Sequence, residues 1–138
     1  MTYVDIVTAL AILQFIVFGF KVGAARNRYG IQAPAVTGNP IFERHFRVQQ
    51  NTLEQLMGFL PGMYLFGRWV NPVGAAALGV VYLIGREVYA SRYVKDPAKR
   101  SAGFGLTFLP VAILVLGGLG GAVWSLVGSH HSAGIHPL

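Results

Sequence analysis

The sequence predicts an all-α integral membrane protein, an antiparallel four-helix bundle, and three observations carry that prediction. The chain is 54% hydrophobic and only 12% charged, where a soluble domain carries about 25% charged residues. Its mean hydropathy is +0.53 over 138 residues. That is more apolar surface than one soluble core of this size can hide, because small domains leave much of their surface in solvent. The apolar residues also fall in long runs between short polar segments, so lipid is the natural solvent for the excess. The length accommodates a single four-span domain over residues 1–138.

The first span is expected over about 4–23, around the run from Ile6 to Val22. Gly23-Ala24-Ala25 faintly resembles a signal-peptidase site, but no basic segment precedes the run. The run is also longer than the roughly 7–15 residues of a signal-peptide core, so it reads as a retained span. Residues 26–46 are polar and broken by Asn27, Gly30, Pro34, Gly38, Asn39 and Pro40, which reads as the first loop. The second span covers about 43–66, with a polar first half that starts outside the hydrocarbon; Pro61 should kink it. Gly67 to Pro72 reads as a tight turn, with Trp69 suited to the membrane interface. The third span, about 73–93, is rich in Gly and Ala, which let helices approach closely in lipid. Residues 94–102 form a second basic loop. The fourth span covers about 103–127, with Gly117-Gly118 and Gly120-Gly121 as packing positions, and 128–138 reads as a short loose tail.

The net charge of +6 raises the question of nucleic acid, but the basic residues sit at the ends of apolar runs, a pattern of membrane topology. No nucleic-acid partner is expected. Of the 11 Lys and Arg residues, only Arg68 falls outside the two basic loops and their flanks. The positive-inside rule then puts both basic loops in the cytoplasm and both termini on the opposite side. A bacterial inner membrane and an intracellular organelle membrane fit equally well. With no cysteine in the chain, a thiolate nucleophile or thiolate metal site of its own is excluded, and sulfur chemistry needs a bound thiol. His130, His131 and His136 fall in the tail and are not read as a metal site. No metal is expected.

Ionisable side chains in a membrane helix usually face the bundle interior with a partner or a ligand. Glu43, Arg47, Asn51 and Glu54 recur at helical spacing and share one face. Tyr82, Arg86, Tyr89 and Tyr93 do the same on the third helix, with Arg100 about two turns beyond. Side by side, the two faces would make a basic, hydrogen-bonding cleft at the cytoplasmic boundary. Structural ion pairs, Arg47 with Glu43 or Arg86 with Glu54, are the competing reading. Tyr82 and Tyr89 fit an interfacial aromatic belt best by spacing alone. Lys95 and Lys99 read as solvated topology charges. Arg26, Arg47 and Arg100 nevertheless outnumber the nearby carboxylates, which favours an anionic ligand.

The stretch Phe42-Glu43-Arg44-His45-Phe46-Arg47-Val48-Gln49-Gln50-Asn51-Thr52-Leu53-Glu54 resembles the signature of the MAPEG superfamily, the membrane-associated proteins in eicosanoid and glutathione metabolism. Gly85 to Tyr93, followed by Lys99-Arg100, resembles the third helix and following loop of the same family. The likeness spans about residues 20–127 and is closest to the branch of microsomal glutathione S-transferases 2 and 3 and leukotriene C4 synthase. It implies a homotrimer with glutathione, as co-substrate, bent between adjacent subunits. It implies Arg47, Asn51, Glu54, Tyr89 and Tyr93 as glutathione-binding residues, with Arg26 and Gln49 reaching in from a neighbouring subunit. Arg100 matches the arginine that activates the thiol. Two departures stand out: Gln55 replaces a tyrosine, and Asn27 a second arginine, of leukotriene C4 synthase.

The expected function is therefore a membrane glutathione S-transferase of detoxification type. Arg100, with Tyr93 as a second donor, would hold the thiolate. A hydrophobic or lipid-derived electrophile would arrive from the membrane lipid, and reduction of lipid hydroperoxides is open to the same thiolate. The rival readings are a non-enzymatic lipid-binding or regulatory member of the family and a purely structural membrane subunit.

Overall fold

In lipid an isolated apolar segment can satisfy its backbone only as a helix. The computed structural model, which describes residues 1–132, is all-helical with no strand among the described residues. Four helices follow in order: α1 (Thr2–Tyr29), α2 (Pro40–Trp69), α3 (Pro72–Lys95) and α4 (Ser101–Ser132).

Each helix runs past its apolar run, and the end chemistry explains where it stops. α1 continues through Arg26 and Arg28, whose charges suit a helix C-terminus. It ends at Gly30, in the left-handed conformation (φ 67°) that glycine adopts without strain. α2 begins at Pro40, because Asn39 Oδ1 accepts from the amides of Ile41 (2.9 Å) and Phe42 (3.1 Å) and proline suits the first helical position. Residues 26–29 and 40–42, outside the expected spans, are therefore helical. The same device, Asn71 capping at Gly74 (2.9 Å) before Pro72, shortens the turn read over 67–72 to Val70-Asn71. The second basic loop contracts around Asp96 and a short 3-10 turn, Pro97–Lys99. α4 extends through His130 and His131 to Ser132, in what reads as loose tail, while His136 lies outside the described residues.

α2 and α3 form the middle of the bundle, with α1 and α4 packed on both of them from opposite sides. Up-down connectivity brings the C-termini of α1 and α3 and the N-termini of α2 and α4 to one end. Arg44 on α2 fixes that end by donating to the carbonyls of Val94 (3.0 Å) and Lys95 (3.3 Å), which closes the C-terminus of α3. At the other end Tyr64 donates to Asp5 (2.8 Å), tying α2 to the start of α1.

Glycine sets the helix spacing. A methyl on Gly85 would lie 2.8 Å from the Leu106 carbonyl carbon, and one on Gly121 2.7 Å from the Trp69 oxygen. Gly117 and Gly118 pack on Phe66 and Leu65, whereas Gly120, from the same pair of pairs, faces open space. Outward surfaces are strongly apolar: Phe20 is 73%, Leu116 66% and Trp124 81% exposed. Three helices, α1, α3 and the segment containing α4, are long and apolar enough to cross a membrane. α2 falls short because its first half carries Glu43, Arg44, His45, Arg47 and Asn51.

Gly85→Ala should therefore lower the melting temperature of the detergent-solubilised protein by an amount corresponding to about 1–3 kcal/mol of overpacking. Gly120→Ala should leave it unchanged or slightly raise it, since alanine is the better helix former. Equal melting temperatures for the two variants would refute close packing of α3 on α4 as the source of the effect.

Candidate functional site

The polar face of α2 needs partners that lipid cannot provide, and α3 supplies one from within the core. Arg86 is wholly buried. Its Nη1 donates to Asn51 Oδ1 (2.8 Å) and its Nη2 to Thr52 Oγ1 (2.6 Å). Thr52 spends its own proton on the Val48 carbonyl (2.7 Å), so its oxygen is free to accept from the guanidinium. The Arg86 guanidinium also lies 4.4 Å from the centre of the Tyr89 ring, within range of a cation–π interaction. The competing pairing of Arg86 with Glu54 is thus replaced by neutral oxygens three and two positions earlier on the helix. Glu54 is exposed.

Tyr82 and Tyr89, which fit an interfacial belt by spacing, are both buried. Tyr82 stacks on Phe59 with ring centres 3.7 Å apart and planes at 4°. Tyr89 stacks on Tyr93 at 5.5 Å and 14°. The aromatic stripe of α3 lies against α2 through Tyr82 and Phe59 and against α4 at Gly103, where a methyl would overlap the backbone of Tyr89.

At the charged end of the bundle these residues surround an open cavity of about 610 Å³, lined by Arg47, Asn51, Tyr89, Tyr93, Arg100 and Phe104 with Ser101 and Gly105. That volume lies within the roughly 300–1,000 Å³ of small-molecule sites. Two exposed guanidinium-bearing residues, two phenols and an amide meet there. The N-terminal turn of α4 forms one wall, and its dipole adds to the preference for an anion. Phe104, 41% exposed, opens the cavity toward the apolar surface of α4, where it stacks on Phe108 (5.9 Å).

Of the residues singled out by sequence, the cavity brings together Arg47, Asn51, Tyr89, Tyr93 and Arg100. Arg26, Gln49 and Glu54 do not line it. Arg26 donates to the Ala35 carbonyl (2.6 Å) and lies 4.8 Å from the centre of the Phe42 ring, at the end of α1. Gln49 packs over Gly19 on the seam between α1 and α2, since a methyl there would sit 3.0 Å from its Nε2. Two residues from Arg47 on a helix, it points the opposite way. Thr52, Arg44 and Phe104 escaped the sequence reading. Phe104 was findable, because it follows Arg100 by four residues and shares its face. Thr52 and Arg44 act through tertiary contacts that no local pattern marks.

Comparison with known proteins agrees with the geometry. The sequence matches the MAPEG family over residues 4–120. It is 49% identical over 121 residues to an uncharacterized protein of Synechocystis sp., covering 88% of each chain. It is 42% identical over 115 residues to microsomal glutathione S-transferase 2 of Homo sapiens, covering 83% of this chain and 78% of that one. With leukotriene C4 synthase of Bos taurus it shares 34% identity over 96 residues, covering 70% and 64%. A match that runs from the start of α1 to the middle of α4 settles the relationship: the chain belongs to the MAPEG family.

Proposed function

We propose that this protein is a membrane glutathione S-transferase, which binds glutathione as co-substrate, holds its sulfur as thiolate and adds it to hydrophobic electrophiles. One observation carries the proposal: Arg100 faces the same cavity as Arg47, Asn51, Tyr89 and Tyr93, and that cavity opens beside the apolar surface of α4. The relatives named as glutathione transferases supply the class of thiol.

In this reading Arg47 and Asn51 anchor a carboxylate of the tripeptide, and Arg100 faces the sulfur with the Tyr93 hydroxyl as second donor. A free thiol ionises near pH 8.5, and a guanidinium within hydrogen-bond reach favours the charged form. Lowering the pKa by about two units, worth roughly 2.7 kcal/mol, makes thiolate the majority species at neutral pH. The proton goes to water. The sulfur lone pair then forms a C–S bond with an electrophilic carbon, whose displaced electron pair leaves with a leaving group or opens a ring. With a lipid hydroperoxide, the thiolate takes the terminal oxygen, the O–O bond breaks to the alcohol, and a second glutathione converts the sulfenic acid to disulfide and water.

Arg26, Gln49 and Glu54 complete the site from outside this cavity, the first two from a neighbouring copy in a homotrimer. The exposed Glu54, midway along α2, supports that assembly, because a carboxylate facing lipid costs several kcal/mol. The positive-inside rule puts the cavity at the cytoplasmic boundary, with both termini opposite.

Glutathione at 100 times its dissociation constant should stabilise the solubilised protein by about 2.7 kcal/mol, seen as a raised melting temperature. Arg47→Ala should abolish that shift at the same concentration; an undiminished shift would remove Arg47 as an anchor. Ultraviolet titration of bound thiolate should give a midpoint near pH ~6.5 in the wild type, moving up toward about 8.5 in Arg100→Ala. A depressed pKa favours thiolate above it, so the variant loses most activity at neutral pH and regains part of it in alkali. Binding without conjugation of a hydrophobic electrophile would instead identify a non-enzymatic member of the family.

Co-expression of Arg26→Ala and Arg47→Ala subunits should restore part of the activity that each lacks alone. Mixed assemblies regain a site with Arg47 from one copy and Arg26 from the next. No recovery would place Arg26 outside the site.

A further inference from the structure

We propose that Arg86, which does not touch the cavity, is a positioning residue that fixes the polarity of Asn51 and so selects a hydrogen-bond acceptor on the ligand. The inference rests on the glutathione reading for the identity of that acceptor and on geometry for the rest. A guanidinium carries donors only, so the Asn51 atom 2.8 Å from Arg86 Nη1 is its carbonyl oxygen. The orientation of the Asn51 amide is thus dictated by the chemistry of its partner. With its oxygen committed, Asn51 has only its two N–H donors to offer the cavity it lines.

Two further contacts and complete burial hold Arg86 in place. Thr52 accepts from its second terminal nitrogen at 2.6 Å, the Tyr89 ring lies beside its guanidinium, and no part of the residue is exposed. Its Nε is buried without a hydrogen-bond partner among the described residues. A cation kept in a site that leaves one donor unsatisfied is poorly explained by stability alone, since apolar residues of similar volume replace buried ions at little or no loss. Its position behind Asn51 and Tyr89 supplies the other explanation. It holds one wall of the cavity in the donor state, next to the cationic Arg47, and the ligand group matching both is a carboxylate.

The test compares Asn51→Asp and Arg86→Met with wild type, using glutathione and two blocked analogues, its glycyl carboxamide and the analogue lacking the γ-glutamyl α-carboxylate. Arg86→Met keeps an unbranched apolar stem while removing every donor, and Asn51→Asp retains a partner for Arg86 but presents no N–H to the cavity. In wild type, one analogue should bind at least about tenfold more weakly than glutathione, as expected for a lost hydrogen bond to a charged group. In both variants that penalty should shrink several-fold without vanishing, because Arg47 still faces the carboxylate, and Arg86→Lys should restore part of it. An undiminished penalty in Arg86→Met overturns the proposal.

A ligand-free arm separates this from the functional reading. The melting-temperature losses of Arg86→Met and Asn51→Ala should exceed that of the double variant by about 3 °C or more when summed, because the two side chains share one interaction. Strict additivity overturns the link between them. A wild-type protein that glutathione does not stabilise would sink the transferase reading, and the ligand-free arm would still decide whether Arg86 holds Asn51.

Discussion

A guanidinium inside a membrane bundle must be given oxygen atoms, and much of this structure is arranged around that demand. Arg86 finds them on α2, in the consecutive residues Asn51 and Thr52. A cation buried without such partners would be severely destabilising. The two bonds therefore fix both the rotation and the axial register of α2 against α3. Sliding either helix by one residue would swing the stripe by about 100° and present an apolar side chain to the charge. Register in turn decides which residues face the cavity: with Asn51 held, Arg47 one turn earlier has no freedom to point elsewhere.

Close packing does what charge does not. On α4, spacing is set by glycines against backbone and bulky side chains, as at Gly118 and Gly121, and on α3 by Gly85 against Leu106. Lipid offers little hydrophobic drive for helices to associate, so such contacts carry the association. The molecule thus has a polar end tied by the hydrogen bonds of Arg44 and Arg86, while α4 is held mainly by van der Waals contact. The cavity lies at the polar end, where Gly103 lets the first turn of α4 approach Tyr89 closely enough to bring Arg100 beside Tyr93.

Much of this was legible in the sequence, and the exceptions share a cause. Four apolar runs gave four helices, and the spacing of Arg47 with Asn51, and of Tyr89 with Tyr93, placed those pairs on shared faces as observed. Helices outrun their apolar runs wherever a cap lies beyond, as with Asn39 before Pro40 and Gly30 after Tyr29. Hydropathy senses solvent, whereas a helix stops where its end groups find partners. The partner of Arg86 was missed for a different reason. Glu54 has the right charge, but Asn51 and Thr52 have the right height and direction, and only tertiary geometry distinguishes them. Tyr82 and Tyr89 look interfacial by composition yet stack inside because their stripe faces α2 and α4.

Phe104 gives the cavity a second frontage. On one side stand Arg47 and Arg100, open to water; on the other the phenyl ring joins the apolar surface of α4 through Phe108. A molecule entering from the first side is present at a concentration counted per volume of solution. One entering from the second is counted per area of bilayer, as a mole fraction among lipids. Adding lipid or detergent dilutes such a ligand while its total amount in the tube stays the same. For a site built this way, saturation follows surface composition on one axis and molarity on the other, and occupancies measured at different detergent ratios are not occupancies at the same ligand level.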